Sequence, residues 1–270
     1  MTPSAPLPVW LDGRLLSAAQ ARIDPADRGF LLGDGVFETM RVAGGRACHF
    51  ARHMDRLAHG AAVLHMPPPD RATVAAGVQA LLAACALVSG SLRLTLTRGT
   101  GPRGLLPPVD AVPTCLITAT PATPPSTPVR LVTATHRRDE GSVLSRIKSL
   151  NYLPSILARM EAAAQEADDA LLLNNAGHVA ETSASTLVAC LDGRPVTPPV
   201  HDGALPGTVR GVLVEAGLLA VGRIEVATLR EACAIFTLNS LGAREVVALD
   251  GRAVPRRPDV LAALRACAYR

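Results

Sequence analysis

Lysine is nearly absent from this 270-residue chain. Lys148 is the only one, and the other 26 of the 27 Lys and Arg residues are arginine. Aromatic residues are scarce as well, at 3%, so aliphatic side chains must fill the core. No apolar run reaches membrane-spanning length, and residues 1–11 carry no basic stretch ahead of an apolar one, so neither an anchor nor an export signal is expected. Cys48, Cys85, Cys115, Cys190, Cys233 and Cys267 lie far apart, with no C-x-x-C pair and no histidine at ligand spacing. They read as buried thiols of a cytoplasmic protein, and no metal site is expected. The net charge of +4 suits an anionic ligand, but arginines scattered along the whole chain are not the clustered footprint of a nucleic-acid binder.

With 49% hydrophobic and 19% charged residues, a chain of this length has enough apolar surface for two domains. The clearest boundary is the Pro-rich stretch 121–128, whose prolines join neither a helix nor a central strand. The expected division is a smaller α/β domain over 1–120, a linker over 121–128 and a larger domain over 129–270 that carries Lys148. In the first, residues 9–16 read as a hairpin turning at Asp12-Gly13, and 36–50 as another turning at Gly44-Gly45. Helices are expected over 51–64 and 70–87, the second capped by Asp70, and strands over 91–97 and 114–120. In the second, 130–135 reads as a strand and 153–167 as a helix with apolar Ile156, Leu157 and Met160 at helical spacing. Short strands follow over 170–173, 178–181 and 186–191, then a helix over 207–216, then strands over 224–227, 234–238 and 245–249. The fold class is mixed, α+β or α/β.

Arginine replaces lysine well for surface charge and phosphate contacts, but its guanidinium is no nucleophilic amine. One retained ε-amine therefore points to a Schiff base with a carbonyl, for which pyridoxal phosphate (PLP) is the commonest partner. The plain alternative for Lys148 is a leftover surface residue. PLP chemistry also needs a carboxylate to keep the pyridine nitrogen protonated. Glu181 ends a short strand after the turn Asn175-Ala176-Gly177, and Thr182 and Ser183 behind it offer hydroxyls to a phosphate; it reads equally as an exposed strand-end charge. The segment Leu205-Pro206-Gly207 opens a helix whose Thr208 and Val209 N–H groups suit a phosphate, or it is an ordinary helix start. Arg56, flanked by apolar Met54 and Leu57, is a candidate clamp for that phosphate or a solvated helical arginine.

The order Asp27-Arg28-Gly29, Gly33-Asp34-Gly35-Val36-Phe37-Glu38, His53-x-x-Arg56-Leu57, Thr97-Arg98-Gly99, Lys148-Ser149-Leu150-Asn151, Glu181 and Gly207-x-x-Arg210 closely resembles the class IV aminotransferases, the fold-type IV PLP enzymes. The resemblance spans nearly the whole chain. It implies two domains, a homodimer whose sites borrow a neighbour's loop, and PLP as cofactor. It assigns Lys148 as the catalytic Schiff-base lysine and Glu181 to the pyridine nitrogen. Arg56 and the N–H groups of Thr208 and Val209 go to the phosphate, and Thr182, Ser183, Ser240 and Leu241 line the cofactor. Substrate contacts fall to Phe37, Arg98, Arg103 and Asn239. The D-amino-acid aminotransferases hold the substrate carboxylate with a tyrosine, an arginine and a histidine; here those positions read Phe37, Arg103 and Leu105. The glycine-rich loop from Arg98 to Gly104 and the segment Asn239-Ser240-Leu241 instead resemble 4-amino-4-deoxychorismate lyase. The first expectation is that lyase, which makes 4-aminobenzoate and pyruvate for folate synthesis. The alternative is a transaminase of D-amino acids or (R)-amines.

Overall fold

A computed structural model describes residues 7–269. The chain divides into two compact units, one of residues 1–123 with 147–151, the other of 124–146 with 152–270. The segment carrying Lys148 thus belongs with the first unit, where the sequence reading had placed it with the second. Its backbone bonds, described below, give the reason. Among the described residues no helix is long and apolar enough to cross a membrane.

The first unit comprises β1 (Val9–Leu11), β2 (Arg14–Leu16), α1 (Arg28–Leu32), β3 (Gly35–Ala43), β4 (Arg46–Ala47), α2 (Phe50–Val63), α3 (Arg71–Ala84), β5 (Gly90–Thr97) and β6 (Thr114–Pro121). Its sheet runs β2-β1-β6-β5-β3-β4 and is antiparallel throughout. Asp12 and Gly13, both at positive φ, close the first hairpin, and Gly44 with Gly45 the second. Asp70 caps α3 by accepting the Thr73 N–H at 2.7 Å. One core lies between sheet and helices. Met54, Leu57 and Ala61 of α2 and Val74, Val78 and Leu81 of α3 pack on Val36, Met40, Leu92, Leu94 and Leu96. The period of two along β3 therefore sends Val36, Glu38, Met40 and Val42 toward the helices and Phe37 to the other face.

The second unit comprises β7 (Val129–Arg138), α4 (Leu153–Ala164), β8 (Asp169–Asn174), β9 (Val179–Thr182), β10 (Thr186–Leu191), β11 (Arg194–Thr197), α5 (Thr208–Glu215), β12 (Ala220–Val221), α6 (Val226–Arg230), β13 (Ala234–Asn239), β14 (Gly242–Leu249), β15 (Arg252–Ala253) and α7 (Pro258–Ala268). Its mixed sheet runs β12-β11-β10-β13-β14-β7-β8-β9, with β15 on β14, and the β11–β12, β14–β7 and β7–β8 pairs are parallel. Both faces are covered, which is why β8 and β10 are almost wholly buried. No strand forms over 224–227, whose last two residues open α6, and α7 had no counterpart in the sequence reading. On α4 the expected helix forms with the opposite face inward. Ala158 and Ala162 pack on Val132, Ala134, Ala170 and Leu172, while Leu153, Ile156, Leu157 and Met160 are 63%, 51%, 40% and 63% exposed. Two alanines four residues apart let the helix sit close on the sheet, and helical spacing alone does not choose between the faces. Of the six free cysteines only Cys115 and Cys190 are buried, the others being half-buried at element ends.

Candidate active site

In the first unit, three of the sequence motifs interlock. Asp27 caps α1 through the Gly29 and Phe30 N–H groups at 2.8 and 3.4 Å, and its other oxygen accepts from the Thr97 hydroxyl at 2.8 Å. A Cβ on Gly29 would collide with Thr97, so glycine is needed for this approach. Asp34 receives Arg28 Nε at 2.9 Å, Arg98 Nε at 2.7 Å and Arg98 Nη2 at 3.0 Å. Burial alone would raise this carboxyl, but the bonds and charge of Arg98 and Arg28 hold it below its ordinary value. Arg98 also donates to the Leu64 and His65 carbonyls at 2.7 and 3.2 Å. Its guanidinium thus ties β5 to the end of α2. Arg28 reaches the Gly104 and Leu105 carbonyls at 3.0 and 2.8 Å, fixing the loop on which Arg103 is exposed.

Lys148 is positioned by its main chain. Its carbonyl accepts the Phe37 N–H at 2.9 Å, the Leu150 N–H donates to Gly35 at 2.9 Å, and Ser149 bridges Val36 antiparallel. The lysine segment is therefore a short added strand on the start of β3, and a Cβ on Gly35 would collide with the Leu96 carbonyl and press on Leu150. Lys148 Nζ lies 4.3 Å from the centroid of the Phe37 ring, and the Arg93 guanidinium carbon 3.9 Å from the same centroid. Arg93 lies within the strand expected over 91–97 and was not among the candidate site residues. The period-two pattern held the signal that it shares a face with Phe37.

On the helix-facing side of β3, Glu38 accepts Arg56 Nε at 2.7 Å and Arg56 Nη2 at 2.6 Å, with His53 Nδ1 at 2.6 Å. Burial alone would raise the Glu38 carboxyl, yet the Arg56 and His53 bonds hold it low. Burial lowers His53 against the pull of Glu38, so the imidazole is neutral near pH 7 and donates Nδ1–H. Arg56 is thus no solvated arginine. Its partner Glu38 closes the Gly-Asp-Gly-Val-Phe-Glu motif, but nothing in the spacing tied it to His53 and Arg56.

In the second unit, Glu181 is buried. Its Oε2 accepts the Leu205 N–H at 3.0 Å, and its Oε1 lies 3.1 Å from Arg138 Nη2. Arg138, which the sequence reading missed, also donates to Gly203 and Ser145 carbonyls at 3.0 Å each. The hydroxyls expected to face a phosphate point elsewhere. Thr182 Oγ1 donates to Asp169 or to the Ser185 carbonyl, each at 3.2 Å, and Ser183 donates to Asp169 in a short bond. Asp169 is 1% exposed, and a buried carboxylate takes the nearest donors. At the first turn of α5, where N–H groups have no helical acceptor, Thr208 Oγ1 lies 3.3 Å from Ser240 Oγ. Leu241 follows Ser240 in the β13–β14 turn. Asn239 is committed to that turn. Its Oδ1 accepts the Leu241 and Gly242 N–H groups at 2.9 and 3.4 Å and its Nδ2 donates to Ser185 Oγ at 3.1 Å. These bonds are those of an asparagine satisfying its own turn.

Comparison with known proteins bears on these two sets of residues. The family model described as amino-transferase class IV matches residues 35–249. A bifunctional aminodeoxychorismate lyase / D-amino acid transaminase of Mycobacterium tuberculosis is 30% identical over 93% of both chains. The crystal structure of 4-amino-4-deoxychorismate lyase from Pseudomonas aeruginosa is 33% identical, covers 96% of this chain and 98% of its own, and superposes with a TM-score of 0.81. A hypothetical aminotransferase from Mycobacterium tuberculosis, solved in a PLP-bound form, is 27% identical over 97% of this chain and 99% of its own, with a TM-score of 0.83.

Proposed function

This chain belongs to the class IV aminotransferases, which are PLP-dependent enzymes, and on that premise we propose that it is a 4-amino-4-deoxychorismate lyase, releasing 4-aminobenzoate and pyruvate. The residues present suit PLP. They supply one ε-amine held on a strand edge, a buried carboxylate, and a helix start whose Gly207 has no room for a Cβ beside Thr186 Oγ1, 2.9 Å away. When bound, PLP supplies an electron sink for the bond broken at the substrate's Cα. Lys148 takes the Cα proton as general base. Glu181, steadied by Arg138 and the Leu205 N–H, keeps a proton on the pyridine nitrogen. The Thr208 and Val209 N–H groups, with Ser240 and Leu241 beside them, hold the phosphate, and Arg56 adds a cation whose orientation Glu38 fixes. Loss of the enolpyruvyl group then leaves an aromatic product.

The observation that carries the choice of reaction is Phe37. Where D-amino-acid aminotransferases place a tyrosine hydroxyl for the substrate carboxylate, this chain offers a ring face with Lys148 at 4.3 Å and Arg93 at 3.9 Å. A ring-bearing substrate with its own carboxylates suits that pairing of aromatic face and guanidinium. The test incubates the purified protein with aminodeoxychorismate, and separately with D-alanine and 2-oxoglutarate, following 4-aminobenzoate and glutamate. Fast transamination without 4-aminobenzoate would reverse the assignment. A second activity, transamination of a D-amino acid, is favoured by the bifunctional Mycobacterium tuberculosis relative, since both reactions begin with removal of the same proton.

The proposed assembly is a homodimer. On α1, Phe30, Leu31 and Leu32 are 75%, 57% and 44% exposed, and the apolar face of α4 is likewise uncovered, as helices at subunit contacts are. Sedimentation at micromolar concentration tests this, and a monomer would refute it. Six free thiols accord with a cytoplasmic setting.

A further inference from the structure

Among the described residues the three most deeply buried arginines are Arg28, Arg98 and Arg210, 4%, 6% and 8% exposed. The first two share Asp34 as counter-ion. Arg210 has none. Among the described residues no carboxylate pairs with it, its guanidinium makes one hydrogen bond, from Nη2 to the Pro198 carbonyl at 3.1 Å, and its buried Nε has no acceptor. Burial draws its pKa down, with no charge opposing the shift, yet a guanidinium remains protonated at neutral pH. Its position adds a further cost. Arg210 is the third residue of α5, at the positive end of the helix dipole, and the first turn holds no acidic residue. A buried cation at the positive end of a helix, without a counter-ion, is disfavoured three times over. An anion bound at that helix end would relieve all three.

We propose that Arg210 is a positioning residue for the cofactor's phosphate, a buried charge that the bound dianion neutralises, acting through the first turn of α5 rather than by contact. The inference rests on the reading that the phosphate sits on the Thr208 and Val209 N–H groups. It accounts for a basic residue at a helix start where an acidic or neutral one is the stable choice in the absence of ligand. It also separates Arg210 from Arg56, whose charge is already matched by Glu38.

The experiment measures dissociation constants of PLP and of pyridoxal, which lacks the phosphate, together with melting of the full-length chain freed of PLP. The variants are R210Q, which keeps an N–H for the Pro198 carbonyl but no charge, and R210K, which keeps the charge. R210Q is expected to lower the preference for PLP over pyridoxal by about tenfold, equivalent to ~1.4 kcal/mol, and its ligand-free form is expected to melt no lower than wild type. R210K is expected to retain most of the preference. A purely structural arginine would behave the other way, with R210Q melting lower and keeping the wild-type preference, and that result overturns the proposal. If R210Q does not fold, R210K decides: loss of the preference there, with the charge in place, also overturns it. The underlying reading fails separately. Thr208→Pro removes one N–H at a position that tolerates proline, and an unchanged PLP preference in that variant would mean that the phosphate sits elsewhere.

Discussion

Glu38→Gln tests whether the buried cluster on β3 is held by its charge. The Glu38 side chain is 1% exposed and receives three hydrogen bonds of 2.6–2.7 Å, two from Arg56 and one from His53. Glutamine has the same shape, but its NH2 opposes one of those donors, and Arg56 loses the carboxylate that accepts two of its N–H groups. Removing one partner of such a pair costs about 3–5 kcal/mol, and at roughly 2–4 °C per kcal/mol this lowers Tm by about 6–20 °C. Asp55 supplies the comparison. It accepts from Arg71 at 2.8 Å, but the two side chains are 67% and 49% exposed, so Asp55→Asn is expected to change stability by no more than about 0.5 kcal/mol. Denaturant unfolding of both variants at pH 7 measures the contrast. If Glu38→Gln lost no more than Asp55→Asn, burial would not be the source of the strength, and the reasoning would be wrong. The double variant E38Q/R56M should recover part of the loss, because a vacated pair strands no charge.

Lys148→Arg keeps the charge over Phe37 but removes the primary amine, so the holoprotein's visible absorbance and both candidate activities should vanish while the melting temperature stays near wild type; retained turnover would refute the assignment. For pH, the folded-state values of both Glu38 and His53 are depressed, so their contributions are complete above the ordinary values of 4.5 and 6.5 and are lost as pH falls. Stability should decline below about pH 6.5 through His53 and again below about 4.5 through Glu38, and His53→Gln should flatten the first decline; an unchanged slope between pH 6.5 and 5 would show that His53 is not responsible. Arg98→Met should cost about 1–3 kcal/mol in unfolding experiments, because it removes two of the three bonds to Asp34 and the donor to the Leu64 and His65 carbonyls while Arg28 still pairs with Asp34, whereas Arg103→Met, on an exposed loop, should leave stability within about 0.5 kcal/mol and raise KM. The reverse pattern would return Arg98 to the substrate.

What the sequence made legible was local. Asp12-Gly13 and Gly44-Gly45 force their hairpins by backbone geometry, Asp70 caps its helix, and the alternation of Leu92, Leu94 and Leu96 marks a half-buried strand. A lone lysine marked the chemistry because composition, unlike packing, needs no fold to be read. Tertiary choices were not visible. Thr182 and Ser183 looked available to a ligand until Asp169, more than ten residues earlier, proved to be their acceptor. Asn239 read as a substrate contact, and its side chain also satisfies its own turn through the Leu241 N–H. The α4 face was misjudged because side-chain size was weighed and closeness of approach was not.

The same distinction explains why the motifs that carry the family resemblance are only partly a chemical site. Asp27, Arg28, Gly29, Asp34, Thr97, Arg98 and Gly99 bond to one another, and each bond removes a donor, acceptor or charge that would otherwise be stranded. Such a set changes only as a set, since one lost member leaves a buried partner unsatisfied. Motif strength in this chain therefore measures mutual dependence as much as contact with a ligand. The residues to credit with chemistry are those the interlocking does not account for. Lys148 is held by its main chain, and its side chain stands against Phe37. Arg210 keeps its place in the Gly-x-x-Arg motif although no anion of the described chain repays the cost of burying it.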